Sequence, residues 1–125
     1  MVNELAGILQ YIGLSVKDAS NLSASYAKTN ISTLYNWQKD CIYTTNVNNG
    51  SNLVYCAPTG GGKTIVAEFI IFRSVCGLNK KAIFVLPFVS LVVEKVEYFK
   101  KLLKSYNSHC VSDYDKIQVY ILILV

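Results

Sequence analysis

Histidine and arginine are almost missing from these 125 residues: His109 is the one histidine and Arg73 the one arginine. A single imidazole leaves nothing from which to build a Cys/His zinc site or a Cys-His nucleophile pair. A single guanidinium is a poor supply for an enzyme that must clamp a transferring phosphoryl group by itself. With two prolines and no low-complexity tract the chain is neither disordered nor fibrous, and no fixed period suggests repeats. Apolar runs are short: IQVYILILV has nine residues, where a bilayer needs about 20. The opening MVNELAGILQYIGLSV has no basic n-region and no small-residue cleavage site, so it does not read as a secretory signal. No membrane partner is expected. Cys41, Cys56, Cys76 and Cys110 are widely spaced and never form C-x-x-C, which reads as buried, reduced thiols in an intracellular protein.

Hydrophobic residues make up 52% of the chain and charged ones 16%, enough apolar material for one core, and the length fits one domain. The net charge of +4 comes almost wholly from lysine, a mild excess that suits an anionic partner without requiring one.

Leu5, Ile8, Leu9 and Ile12 recur at helical spacing, and the polar stretch 15–30 reads as turns plus a second short helix. Ser32 and Thr33 are placed to cap a helix over 34–45, which the turn cluster NNGSN at 48–52 ends. Residues 53–57 read as a buried strand. Residues 64–76 are apolar on nearly all sides, as in a helix packed on a sheet, and Gly77 is placed to stop it with a left-handed cap. AIFVL at 82–86 reads as a second, fully buried strand closed by Pro87. Ser90 can then cap a helix with Val92, Val96, Phe99 and Leu103 on one face. Glu94, Glu97, Lys100, Lys101 and Lys104 lie on the other, Glu97 and Lys101 being an i,i+4 pair. Strand, helix, strand, helix with short connections predicts an α/β fold with a parallel sheet.

Between the first strand and its helix lies Ala57-Pro58-Thr59-Gly60-Gly61-Gly62-Lys63-Thr64. Bare backbone at the three glycines lets successive N–H groups turn toward phosphate oxygens, and the helix that follows aims its positive end at the same anion. Lys63 reaches the β and γ phosphates as a point charge, and the Thr64 hydroxyl is a hard ligand for the Mg²⁺ that accompanies ATP. These two are the catalytic candidates of a P-loop NTPase. The strict pattern G-x-x-x-x-G-K-[ST] is not met, because Ala57 stands in the first glycine position.

Ala-x-Thr-Gly-x-Gly-Lys-Thr resembles motif I of the superfamily 2 helicases, where alanine in that place is usual. LYNWQKDCI at 34–42 is similar to the segment that ends in the adenine-reading glutamine of these enzymes, and KKAIFVLPFVSLVVEK at 80–95 is similar to motif Ia with its strand. The combination is most similar to the DNA polymerase theta-like branch, over roughly residues 31–104. The resemblance implies part of a RecA-like domain of a nuclear, ATP-dependent DNA helicase of DNA repair. Residues 1–30 would be a helical lead-in, and 105–125 a divergent or truncated tail. It implies that Gln38 reads adenine through its amide, a geometry glutamine uses on adenine elsewhere, with Tyr35 or Trp37 stacking on the base. It implies that Pro87, Phe88, Val89 and Ser90 grip the DNA backbone.

Hydrolysis in this family also uses an apolar strand ending in Asp-Glu and arginines from a second RecA-like domain. Glu94 and Glu97 lie on a lysine-rich helix face, and Asp113 and Asp115 follow the polar NSHCVS. None has the placement that the metal-holding carboxylates need. The expectation is an ATP-binding part with little turnover alone, the remainder of the helicase being missing from the chain. A small P-loop metabolite kinase and a non-catalytic regulatory product are the alternatives.

Overall fold

The Asn3 side chain starts the first helix by accepting the Leu5 N–H at 3.0 Å, and α1 runs Glu4–Tyr11. Ser15 does the same for α2, Val16–Ala27, accepting from Asp18 N–H at 3.1 Å. The 15–30 stretch is therefore mostly helix. Leu5, Ile8, Leu9 and Ile12 are all buried, as their spacing predicts, and α1 and α2 pack together as a hairpin. The computed structural model describes residues 3–58, 60, 62–104 and 117–121; of 45, 46, 104 and 117–121 it describes the backbone alone.

The next helix is shorter than expected. α3 spans Asn36–Ile42, and a separate single turn, α4, spans Thr45–Asn49 before Gly50 turns the chain at φ 71°. Ser32 and Thr33 do not cap α3. Tyr35 is its N-cap residue, and the Gln38 side chain reaches back to the Tyr35 N–H at 2.8 Å, half of a capping box.

Residues 53–57 are not a ladder strand. They alternate half-buried and exposed, with Val54 95% exposed, a strand's period without a strand's partner. A strand is defined by its neighbour's hydrogen bonds, and among the described residues nothing pairs with this segment. Cys56 is exposed and Cys41 and Cys76 are partly so, which corrects the expectation of buried thiols; Cys110 lies outside the described residues.

α5 spans Lys63–Phe72 and widens into a π turn, Arg73–Gly77, closed by Leu78 N–H on Arg73 O at 2.9 Å. Gly77 does not take the left-handed cap expected of it. Its role is close approach: a Cβ there would sit 2.8 Å from Ile12 O and 3.3 Å from Gly13 Cα, so glycine lets the end of this helix meet the end of α1.

β1, Ala82–Leu86, is followed by α6, Val89–Lys104, and then β2, Ile117–Ile121, which pairs with β1 in parallel from Ala82↔Ile117 to Leu86↔Ile121. This is a βαβ unit. β1 is half-buried rather than fully buried: Phe84 meets Phe99 of α6 at 6.3 Å between ring centroids, while Ile83, 65% exposed, and Val85 face away. Ser90 lies inside the first turn of α6 rather than ahead of it. Phe99 and Leu103 are buried on the expected face, but Glu97 pairs with Lys100 at 3.4 Å and not with Lys101. Core residues from Leu5 to Leu103 form one cluster that joins α1 and α2 to α5 and α6. Among the described residues no helix is long and apolar enough to cross a membrane. Asp113 and Asp115 lie outside them.

Candidate functional site

Gly62 is left-handed at φ 80°, ψ 33°, and Gly60 at φ 79° shares that sign. Both conformations favour glycine, and a side chain at Gly62 would collide with Gln38: its Cβ would lie 2.6 Å from Nε2. Lys63 and Thr64 are the first two residues of α5 and both are exposed, so their side chains and the helix's unpaired N–H groups share one end. Ala57 is half-buried and Pro58 exposed on the approach to the loop, while Thr59 and Gly61 lie outside the described residues.

Gln38 is 3% exposed and is tied at both ends of its amide. Oε1 accepts from Tyr35 N–H at 2.8 Å, and Nε2 donates to Gly62 O at 2.8 Å. One N–H and one lone pair of the amide remain. The glutamine thus joins the start of α3 to the last loop residue before α5. A second tie comes from Tyr55, whose hydroxyl donates to Lys63 O at 2.7 Å. Burial raises the Tyr55 hydroxyl above its ordinary value, keeping it a neutral donor.

These residues border a cleft of about 330 Å³, lined by residues 30–35 together with Gln38, Gly60, Gly62 and Ile65. The lining mixes hydroxyls and backbone with Ile31, Leu34 and Ile65, the composition of a pocket for a flat, partly apolar group. Tyr35 stands at it, 66% exposed, whereas Trp37 is turned to Tyr55 at 6.2 Å between centroids. Of the two aromatics considered for stacking, Tyr35 has the free ring.

Pro87, Phe88, Val89 and Ser90 are all exposed at the end of β1 and the start of α6, and none lines the cleft. Arg73 is engaged elsewhere, donating to Asn48 O at 3.0 Å. Among the described residues no group of three or more His, Cys, Asp or Glu is gathered to hold a metal ion. Thr64 presents an exposed hydroxyl in the first turn of α5.

Sequence reasoning missed three things. Residues 30–34, among them the expected caps Ser32 and Thr33 and the expected helix start Leu34, build one wall of the cleft. Tyr55 was read as a strand residue, yet it fastens the start of α5. Glu68 was passed over within an apolar helix, yet it is buried at 3% exposure. A carboxylate inside so apolar a run was the available signal.

Residues 35–121 match the family model described as DEAD/DEAH box helicase. The chain is similar to DNA polymerase theta of Mus musculus, 44% identical over 77 residues that cover 62% of this chain and 3% of that protein. It is similar to Helicase POLQ-like of Drosophila melanogaster, 42% identical over 66 residues, 53% of this chain and 6% of the other. ATP-dependent DNA helicase Hel308 of Methanococcus vannielii is 30% identical over 86 residues, 62% of this chain and 12% of that protein. The chain thus spans a small part of the length of the curated relatives it matches.

Proposed function

The chain belongs to the DEAD/DEAH box helicase family, and we propose that it supplies the ATP-gripping part of a RecA-like domain in a DNA polymerase theta-like DNA helicase of nuclear DNA repair. The observation that carries this reading is the junction of Gln38 with Gly62 at the mouth of the cleft. It sets the cleft beside the glycine loop at the start of α5, which supports reading the two as the base and phosphate parts of one nucleotide site.

In this reading the adenine enters the cleft between residues 30–35 and Ile65, stacks on Tyr35, and meets what remains of the Gln38 amide. The phosphates lie on the N–H groups from Gly60 to Thr64, with Ala57, Pro58, Thr59 and Gly61 completing the loop and Lys63 countering the terminal charge. The donor set fits Mg²⁺ as an ion carried by the phosphates, with Thr64 the protein oxygen that reaches it. The ion would neutralise charge on the transferring phosphoryl group. Pro87, Phe88, Val89 and Ser90 present exposed backbone and one hydroxyl, suited to DNA phosphates rather than to base edges. The extended segment 53–57, with β1 and β2, belongs in this reading to a larger parallel sheet, its ladder completed by a further strand. Residues 1–30, 31–104 and 105–125 are the helical lead-in, the ATP-binding part and a divergent tail.

Titrating the chain with fluorescent nucleotides tests the reading. ATP is expected to bind at least about tenfold tighter than GTP, since guanine presents O6 where adenine presents an amino group. Equal affinity would remove the role given to Gln38 and the cleft. Turnover is expected to stay near background with or without DNA, because among the described residues no group of three or more His, Cys, Asp or Glu is gathered to hold the metal ion and position water. DNA-stimulated hydrolysis abolished by Lys63→Ala would refute that part.

A further inference from the structure

A second cleft, of about 360 Å³, lies at the other end of α5 from the glycine loop. Arg73, which borders it, is a rise of about 15 Å along the helix from Lys63. Among the described residues none lines both clefts. Val47, Leu53, Ile70 and Leu78 give this one an apolar side. Ser51 and Ser74 add hydroxyls, Arg73 and Lys80 add positive charge, and no Asp or Glu of the described residues borders it.

The two cations are not consumed by the helix end they occupy. Arg73 O accepts from Leu78 N–H at 2.9 Å and Ser74 O from Lys80 N–H at 2.8 Å, so two acceptors of the last turn are already satisfied by backbone. Asn79, left-handed at φ 52°, makes the turn that returns Lys80 to Ser74. Arg73 Nη2 donates to Asn48 O at 3.0 Å, a neutral carbonyl that fixes the guanidinium in place and leaves its charge unbalanced. Ion pairs among the described residues are Lys39 with Glu4 and Lys100 with Glu97, and neither cation belongs to them. A π turn begins at Arg73, a rare feature that recurs at functional sites. A solvated lysine or an arginine holding a carbonyl is ordinary by itself. Two unbalanced positive charges bordering one cleft with an apolar side are a binding chemistry.

We propose that this cleft is a second anion site, and that its ligand is a small phosphate monoester with a short apolar body. Such a group carries about −2 charge near neutral pH, which answers both cations together. The guanidinium presents parallel N–H donors to phosphate oxygens, while the ammonium acts as a point charge. The serine hydroxyls supply further donors, and the apolar part of the ligand lies on Val47, Leu53, Ile70 and Leu78. The site stands independently of the nucleotide reading of residues 60–64, which lie at the opposite end of α5.

Isothermal titration of the chain with phenyl phosphate, inorganic phosphate and benzyl alcohol tests it. Phenyl phosphate is expected to saturate with a Kd of about 1 mM or below, at least about fivefold tighter than either of the other two. Arg73→Met should weaken it about tenfold or more, the loss of a charge-assisted contact. Lys80→Met, at an exposed position, should weaken it about threefold. Lys63→Ala should leave it within about twofold, as a distant and independent position does. Affinity unchanged in both Arg73→Met and Lys80→Met overturns the proposal, and loss in Lys63→Ala alone would place the phosphate at the start of α5 instead. Failure of phenyl phosphate to saturate by about 10 mM overturns it too, as does equal binding of inorganic phosphate or benzyl alcohol. Should Arg73→Met, without its bond to Asn48 O, fail to fold by circular dichroism, Lys80→Met decides by itself.

Discussion

Gln38 fastens the protein to itself as well as facing the cleft, and the two roles separate by substitution. Gln38→Glu keeps shape and still accepts from Tyr35 N–H, but it sets a carboxylate against Gly62 O where Nε2 now donates at 2.8 Å. The expected cost is about 1–3 kcal/mol of stability, the penalty of a broken buried pairing, read by urea denaturation. A glutamine that served adenine alone would show no such loss. Gly62→Ala forces a side chain into φ 80° at about 1–2 kcal/mol and drives a Cβ against Gln38. It should weaken ATP binding at least tenfold, to be measured as a Kd ratio (a factor of ten is about 1.4 kcal/mol). At the residue level the loop's place before a helix was legible. The glycine loop and Lys63-Thr64 are contiguous in sequence and do open a helix, as their pattern predicts. The Gln38 tie to Gly62 was not legible, because it joins residues 24 apart and depends on how the loop folds back.

The helices announced themselves through apolar spacing and side-chain caps, as at Asn3 and Ser15, because those signals are local. The segment 53–57 did not follow its pattern, since a ladder is made with a neighbour that the pattern does not contain. Gly77 was misread for a related reason: what demands glycine there is Ile12 O, far away in sequence. Gly77→Ala should therefore cost about 1–3 kcal/mol by overpacking, seen as a lower urea midpoint, although no left-handed residue is involved. Glu68 sets the pH response of the α5 junction. Burial raises its carboxyl above the ordinary 4.5, while Tyr98, Lys95 and Tyr26, the groups that face it, pull the other way. The folded state then holds the proton more tightly than the unfolded chain, so the contribution is fully present below 4.5 and is lost as pH rises through the raised value. Urea midpoints should fall over that window in the wild type and lose this slope in Glu68→Gln. An identical slope in both would assign it to other groups.

For the whole molecule, one core from Leu5 to Leu103 carries a βαβ unit with one face of β1 turned outward. Ile83, Val85 and Phe88 are exposed together near that edge, the kind of strand surface that invites pairing with another chain. Ile83→Lys should lower self-association in sedimentation experiments while leaving the urea midpoint nearly unchanged. The family was legible because its motifs are contiguous; the extent of the sheet was not, because it depends on pairing between distant strands. If the start of α5 holds the phosphates of ATP, isothermal titration of the chain with Mg-ATP reads it out directly. Saturable binding that weakens at least about tenfold in Lys63→Ala is the predicted result, the loss of a charge-assisted contact. Absence of binding at millimolar ATP, or affinity indifferent to Lys63, would contradict it.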